Sequence, residues 1–126
     1  PVLEMICVAL AVYFEARGES LEGQRAVASV VWNRRNDERW PNHTCEVVAQ
    51  KGQFESWPLI KAEFPRLYGA EYLDLPPNES MKTALAHASY TAETPTTPAL
   101  FFAQPDLLKY KQLEIIGNHV FYTTHD

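Results

Sequence analysis

Ten consecutive apolar residues near the start of the chain decide the fold: Met5-Ile6-Cys7-Val8-Ala9-Leu10-Ala11-Val12-Tyr13-Phe14. A membrane-spanning helix needs about 20 such residues, so the run predicts a buried helix and no membrane insertion. The surrounding residues are good helix formers without Gly or Pro, which extends the prediction to Leu3–Ala16, with Gly18 ending the helix. No basic segment precedes the run, so no signal peptide is visible, which does not establish a cytoplasmic location.

Polar caps and a three-four spacing of apolar residues predict more helices. Ser20 is placed to cap a helix over Leu21–Arg35, and Asn78 to cap one that ends near Glu93. Their buried faces comprise Ala26, Val27, Val30 and Val31 in the first and Met81, Ala84, Leu85, Ala88 and Ala92 in the second. Thr44 is a candidate cap for a short helix over Cys45–Gln50.

Two short segments late in the chain contain enough aromatic and β-branched residues to be predicted as strands. They are Ala99–Ala103 and His119–Thr123, which could pair as a hairpin with a long connection. The segment Lys51–Asn78 is broken by prolines and is interpreted as loops and short helical turns over the core. The sequence thus predicts a mostly helical α+β fold in which residues 1–126 form one catalytic domain.

Composition excludes several classes of protein. The chain has 126 residues, a net charge of −5 and 46% hydrophobic residues, which suits one packed domain. Nucleic-acid binding needs a basic stripe, and the densest basic cluster, Arg34 to Arg39, is interrupted by acidic residues. There is no glycine-rich phosphate loop, no paired-Cys motif and no nucleophile elbow, and the histidines are far apart. We therefore expect no metal and no cofactor, and we expect a monomer.

The two cysteines leave two interpretations open. Cys7 lies inside the apolar run, and Cys45 begins a short apolar stretch. Two buried thiols are the interpretation that this placement favours. A Cys7–Cys45 disulfide is the alternative, because the sequence does not reveal how far apart the two residues lie in the fold.

Glu15 is the residue whose position suggests chemistry. It follows the apolar run at the C-terminal end of a buried helix, where desolvation and the negative end of the helix dipole would both raise the pKa of its carboxyl group. A carboxyl group that stays neutral near pH 7 can act as a general acid on a glycosidic oxygen. The alternative is a structural ion pair between Glu15 and Arg17 or Arg34. Glu19 is expected to lie in solvent.

A second group of residues combines flat aromatic rings with amide and hydroxyl groups, as sugar-binding grooves do. The candidate substrate-binding residues are Gln53, Phe54, Ser56, Trp57, Tyr90, Phe101, Phe102 and His119. Trp40 and Tyr122 belong to the same aromatic set. The alternative is core packing, which is what most aromatic residues in a domain do.

Several motifs occur in a recognisable order along the chain. They are Glu15-Ala16-Arg17-Gly18-Glu19, Glu22-Gly23-Gln24-Arg25-Ala26-Val27-Ala28, Val30-Val31-Trp32-Asn33-Arg34, Trp40-Pro41, Cys45-Glu46-Val47-Val48, Gln53-Phe54 and Ile116-Gly117-Asn118-His119-Val120-Phe121-Tyr122. In order and spacing they resemble the SleB-type cell wall hydrolase family, known from spore cortex-lytic enzymes and related phage and bacterial peptidoglycan hydrolases. The resemblance covers about residue 8 to 122.

The resemblance implies a lysozyme-like fold that cleaves peptidoglycan between N-acetylmuramic acid and N-acetylglucosamine, outside the cytoplasm. The family is described as lytic transglycosylase, in which the muramic C6 hydroxyl attacks and a 1,6-anhydro end forms. Its catalytic acid is the first Glu of its motif, which corresponds to Glu15. The chain departs from the family at Thr96-Thr97-Pro98, where Gly-Gly is frequent, so the groove wall near Phe101 is expected to differ.

Two other functions remain alternatives at this point. A muramidase that uses water would need a second carboxylate, for which Glu19 and Glu55 are the candidates. A wall-binding domain without activity would keep the fold, but such a domain most often loses its acid, and Glu15 is present.

Overall fold

The computed structural model describes residues 2–50, 78–103 and 110–125. Four helices lie in these ranges: α1 (Val2–Ala16), α2 (Leu21–Arg35), α3 (Thr44–Ala49) and α4 (Glu79–Thr91). Three strands follow: β1 (Phe101–Ala103), β2 (Tyr110–Ile116) and β3 (His119–His125). This is the mostly helical α+β fold that the sequence predicts.

Helix α1 is the centre of the hydrophobic core, and α2, α3 and α4 all pack against it. Its residues from Ile6 to Tyr13 are buried without interruption, as the apolar run predicts. Val27 and Val31 of α2 are fully buried in the same core, together with Ala84 and Ala88 of α4. None of the helices in the described ranges has both the length and the apolar content that crossing a membrane requires.

The two long helices after α1 begin at the predicted caps. The Ser20 side chain accepts a hydrogen bond from Gly23 N at 3.1 Å, and Asn78 Oδ1 accepts one from Met81 N at 2.9 Å. Each bond satisfies an amide group that the first turn of a helix leaves without an intrahelical partner. The predicted starts of α2 and α4 are therefore confirmed.

Helix α3 has a different cap from the predicted one. His43 Nδ1 accepts a hydrogen bond from Cys45 N at 3.2 Å, so His43 is the N-cap and Thr44 is the first helical residue. The Thr44 hydroxyl instead donates to the carbonyl oxygen of Glu4 at 2.8 Å, and Thr44 N donates to the Glu4 carboxylate at 3.2 Å. These bonds attach α3 to the first turn of α1.

The strands form an antiparallel sheet in the order β1-β3-β2. The two predicted strands do pair with each other, with Phe101 opposite Tyr122. Strand β2, which the sequence pattern did not predict, pairs with β3 across the turn at Gly117–Asn118. Gly-Asn between β-branched residues is a two-residue hairpin signal, so the strand was detectable from sequence.

A disulfide joins Cys7 of α1 to Cys45 of α3. The favoured interpretation of two buried thiols is therefore wrong, and the alternative holds. The Cα atoms are 5.1 Å apart, within the range that a disulfide requires. That separation depends on how α3 packs on α1, through Thr44 and Glu4, which a sequence pattern does not report.

The double substitution Cys7→Ala/Cys45→Ala is expected to lower the free energy of unfolding by about 4 kcal/mol. The bridge joins residues 38 positions apart, so removing it restores much conformational freedom to the unfolded chain. Urea denaturation of the wild type and the variant, each with and without reductant, measures the loss. Reductant should lower the urea midpoint of the wild type and leave that of the variant unchanged. If thiol titration shows that both cysteines of the wild type are reduced and its midpoint is still unchanged, the expectation is contradicted.

Candidate active site

Glu15 lies in the last turn of α1, between half-buried Phe14 and buried Ala16. Its side chain is itself half-buried, whereas the apolar run predicts a more enclosed carboxyl group. The residue is thus not fully enclosed, and the negative end of the α1 dipole lies beside it.

The chain reverses direction directly after Glu15. Glu19 N donates to the carbonyl oxygen of Ala16 at 2.9 Å, and Gly18 adopts the left-handed conformation, with φ of 96°, that such a helix end favours. This turn brings Glu19 back against the C-terminal end of α1, the end that bears Glu15.

Glu19 is partly exposed to solvent, but its carboxylate has partners that the sequence does not reveal. One carboxylate oxygen accepts a hydrogen bond from Asn118 N at 3.0 Å, and the other accepts one from Asn118 Nδ2 at 2.9 Å. These bonds, the backbone one most strongly, hold the pKa of Glu19 below its ordinary value, and nearby His119 adds to the effect. The carboxylate therefore stays ionised and joins the β2–β3 turn to the end of α1.

His119 begins β3 immediately after this turn and is buried, with 8% of its surface exposed. Its ring lies edge-on to Phe102 of β1, with centroids 5.1 Å apart, and it also meets Phe121 edge-on. The buried Nδ1 atom has no hydrogen-bond partner among the described residues. The structure thus brings together two predicted site residues, Phe102 and His119, on the same face of the sheet.

Phe101 lies on the opposite face of the sheet from Phe102, because consecutive side chains of a strand alternate. Its ring stacks on Tyr122 at 5.1 Å and meets Trp40 edge-on at 5.6 Å. The guanidinium of Arg34, buried beneath them, lies 5.3 Å from the Phe101 ring, and burial lowers the pKa of Arg34 to about 10. The two phenylalanines therefore do not line one groove together.

Tyr90 lies near the end of α4 and contacts α2 rather than the sheet residues. The Arg25 guanidinium is stacked on its ring at 4.1 Å, and Arg25 Nε donates to His87 Nδ1 at 3.2 Å. The pKa of His87 is lowered mainly by burial and, to a smaller extent, by the charge of Arg25. The lowered pKa favours the neutral imidazole, which can accept this hydrogen bond. In the described part of the chain, Tyr90 thus contacts Arg25 of α2, whereas His119 and Phe102 contact each other on the sheet.

The remaining predicted substrate contacts, Gln53, Phe54, Ser56 and Trp57, lie outside the described residues, as does Glu55. No group of three or more His, Cys, Asp or Glu side chains within the described ranges is arranged to hold a metal ion.

A cleft of about 160 Å³ opens on the α4 side of the same helix end. Tyr13, Arg17, Gln24 and Thr83 are among its lining residues, and Glu15 is not. Residues two apart on a helix point in nearly opposite directions, so the cleft beside Tyr13 and the Glu15 carboxyl group lie on different sides of α1.

Two polar motif residues of α2, Asn33 and Arg34, bind the backbone of the segment before β1. Asn33 Nδ2 donates to the carbonyl oxygens of Thr97 and Ala99, both at 2.8 Å, and Arg34 Nε donates to that of Leu100 at 2.7 Å. These bonds fix the segment that leads into β1. In the sequence, the signal for these bonds is the Asn-Arg pair that directly follows the buried stretch of α2.

Comparison with known proteins supports this assignment of motifs. The family model described as Cell Wall Hydrolase matches residues 18–122, a segment that begins three residues after Glu15. The chain is 32% identical over 120 residues to a spore cortex-lytic enzyme of Bacillus subtilis and 34% identical to one of Bacillus cereus. Those alignments cover 90% of this chain but only 35% and 42% of the relatives, so the chain spans well under half of their length.

Two solved structures share the fold over nearly the whole chain. One is the catalytic domain of the SleB protein of Bacillus cereus, with a TM-score of 0.73, 30% identity, and coverage of 98% of this chain and 91% of that one. The other is the catalytic domain of the germination-specific lytic transglycosylase SleB of Bacillus anthracis, with the same score and identity and coverage of 98% and 96%. By sequence and by structure, the chain belongs to the cell wall hydrolase family.

Proposed function

We propose that this domain cleaves the glycan strands of peptidoglycan between N-acetylmuramic acid and N-acetylglucosamine, as a lytic transglycosylase in which Glu15 is the catalytic acid and base. The observation that carries the proposal is the position of Glu15 at the C-terminal end of the central helix α1, beside the negative end of the helix dipole. Glu15 is half-buried at the end of α1, and both oxygens of Glu19 accept hydrogen bonds from Asn118. Glu19 therefore has a structural contact, and Glu15 is the carboxyl group to which we assign the chemistry.

A single carboxyl group suffices for the proposed reaction. The protonated Glu15 gives its proton to the glycosidic oxygen, and the bond from that oxygen to muramic C1 breaks. The C6 hydroxyl of the same muramic residue then attacks C1, and the Glu15 carboxylate takes the hydroxyl proton. The products are a free N-acetylglucosamine hydroxyl and a 1,6-anhydro muramic end, no water is consumed, and Glu15 is protonated again.

A hydrolase would need a second carboxylate to activate water or to act as nucleophile. Glu19 is the described candidate for that task, but its ionised carboxylate already accepts two hydrogen bonds, and its lowered pKa makes it a weak base. These features count against Glu19 as the second carboxylate of a hydrolase.

The sheet face that bears His119 and Phe102 is the proposed wall of the sugar groove in the described part of the chain. An aromatic ring suits the apolar face of a sugar, and an imidazole nitrogen suits a hydroxyl or acetamido group. Gln53, Phe54, Ser56 and Trp57 are proposed to complete the groove, whereas Phe101 and Tyr90 point elsewhere. The Cys7–Cys45 disulfide fits a site of action outside the cytoplasm, where disulfides persist.

Digestion of purified peptidoglycan tests the proposal. Cleavage should release muropeptides with new glycan ends and without new free amino groups, and the new muramic ends should resist reduction by borohydride because C1 is bridged to C6. Reducible muramic ends would indicate a hydrolase. New amino groups with intact glycan strands would contradict glycan cleavage altogether.

A further inference from the structure

Glu19 and Asn118 form a contact between residues 99 positions apart in the sequence. The carboxylate accepts two hydrogen bonds, one from the backbone and one from the side chain of the same asparagine. A charged acceptor with two donors fixes both the position and the orientation of its partner. The tip of the β2–β3 hairpin is therefore held at the end of α1.

The backbone on both sides of this contact leaves room for it and supports it. Gly117, the other residue of the hairpin tip, has a φ of +57°, and a Cβ atom there would collide with Glu19 Oε1. On the helix side, Gln24 Nε2 donates to the carbonyl oxygen of Glu19 at 3.0 Å. Glu19 is thus held through its backbone by α2 while its carboxylate holds the hairpin.

The contact lies between two parts of the candidate site. On one side, Glu19 N is bonded to Ala16 O, one residue from Glu15. On the other side, Asn118 is followed directly by His119, whose buried ring contacts Phe102. A shift of the hairpin tip would move the His119–Phe102 edge relative to Glu15.

We propose that Glu19 is a positioning residue: its carboxylate fixes the Gly117–Asn118 turn against the end of α1, so that the His119–Phe102 edge and Glu15 keep the relative placement that glycan cleavage requires. The inference rests on the proposed function and adds a task for Glu19 that is distinct from acid or base catalysis. Displacements of about 1 Å at a reacting centre cost on the order of 100-fold in rate.

The test compares initial rates of peptidoglycan solubilisation for the wild type, Glu19→Ala, Asn118→Ala and the double variant. Each single variant should lose about 10- to 100-fold in rate. Because the two residues act through one contact, the double variant should lose no more than the worse single variant. Glu19→Gln keeps a carbonyl acceptor for Asn118 N and should recover part of the rate.

Asp37→Ala is the matched control. Asp37 also accepts hydrogen bonds from one neighbour, Arg39 N at 2.9 Å and the Arg39 guanidinium at 3.0 Å, but in the turn after α2. Melting temperatures of all variants are recorded. Asp37→Ala should keep the wild-type rate even if its melting temperature falls. If the rate losses of the Glu19 and Asn118 variants came only from lower stability, Asp37→Ala would lose rate as well.

A second measurement does not depend on activity. The amide proton of Asn118, followed by NMR during acid titration, should move as the Glu19 carboxylate gains its proton. Since the folded-state pKa of Glu19 is lowered, the midpoint should lie below the ordinary value of 4.5. His119 is the other titratable group that faces Glu19 in the described structure.

Three results would overturn the inference: a wild-type rate in folded Glu19→Ala, additive losses in the double variant, or an equal loss in Asp37→Ala. If Glu19→Ala does not fold, the rates of Asn118→Ala and Glu19→Gln test the inference in its place. An inactive wild type would contradict the proposed function instead, while the NMR titration would still report whether the Glu19–Asn118 contact exists.

Discussion

Glu15→Gln is expected to fold like the wild type and to lose about 10²- to 10⁴-fold of the rate of peptidoglycan cleavage, the usual contribution of a general acid. The substitution preserves the volume of the half-buried side chain and its capacity for hydrogen bonds. It removes the proton that the glycosidic oxygen must receive. Initial rates of solubilisation and a thermal melt measure the two expectations separately.

Glu46→Gln is a suitable control for this experiment. Glu46 is an exposed carboxylate in the first turn of α3, so the change removes the same charge without touching the end of α1. The control should keep the wild-type rate. If Glu15→Gln were folded and also cleaved peptidoglycan at that rate, Glu15 would not be the catalytic acid.

Val31→Asp is expected to unfold the domain. Val31 is fully buried in α2, within the core that surrounds α1. An unpaired carboxylate there costs about 3–5 kcal/mol, in addition to the lost burial of the valine methyl groups. Domains of this size are stable by about 5–15 kcal/mol, so the loss takes up most or all of the margin.

Circular dichroism and thermal melting measure this effect, with Val31→Ala as the control for the loss of volume alone. Val31→Ala should remain folded with a lower melting temperature, because small core truncations cost about 1–3 kcal/mol. A soluble Val31→Asp protein with the wild-type melting temperature would contradict the packing of α2 on α1.

The helices were predictable because their signals are local. The ten-residue apolar run specified α1, and Ser20 and Asn78 marked the starts of α2 and α4 within one residue. A cap acts on amides two or three positions away, so its signal lies in the same stretch of sequence as its effect. The same locality explains the miss at α3, where both His43 and Thr44 can cap and only the contact of Thr44 with Glu4 decides.

Features that depend on distant residues were not predictable in the same way. The Cys7–Cys45 disulfide requires α3 to lie on α1, and the task of Glu19 requires a partner that is 99 positions away. The sequence context of Glu15 drew attention to the correct helix end but overstated its burial. The opposite directions of Phe101 and Phe102 follow from strand alternation, and this part of the site was open to prediction from sequence.

Glu15 is proposed to work with the substrate's own hydroxyl group rather than with water. Digestion of peptidoglycan in ¹⁸O-labelled water, followed by mass spectrometry of the muropeptide ends, distinguishes the two reactions. We expect 1,6-anhydro muramic ends that are lighter than hydrolysed ends by one water and contain no ¹⁸O. Reducing muramic ends with ¹⁸O at C1 would contradict it.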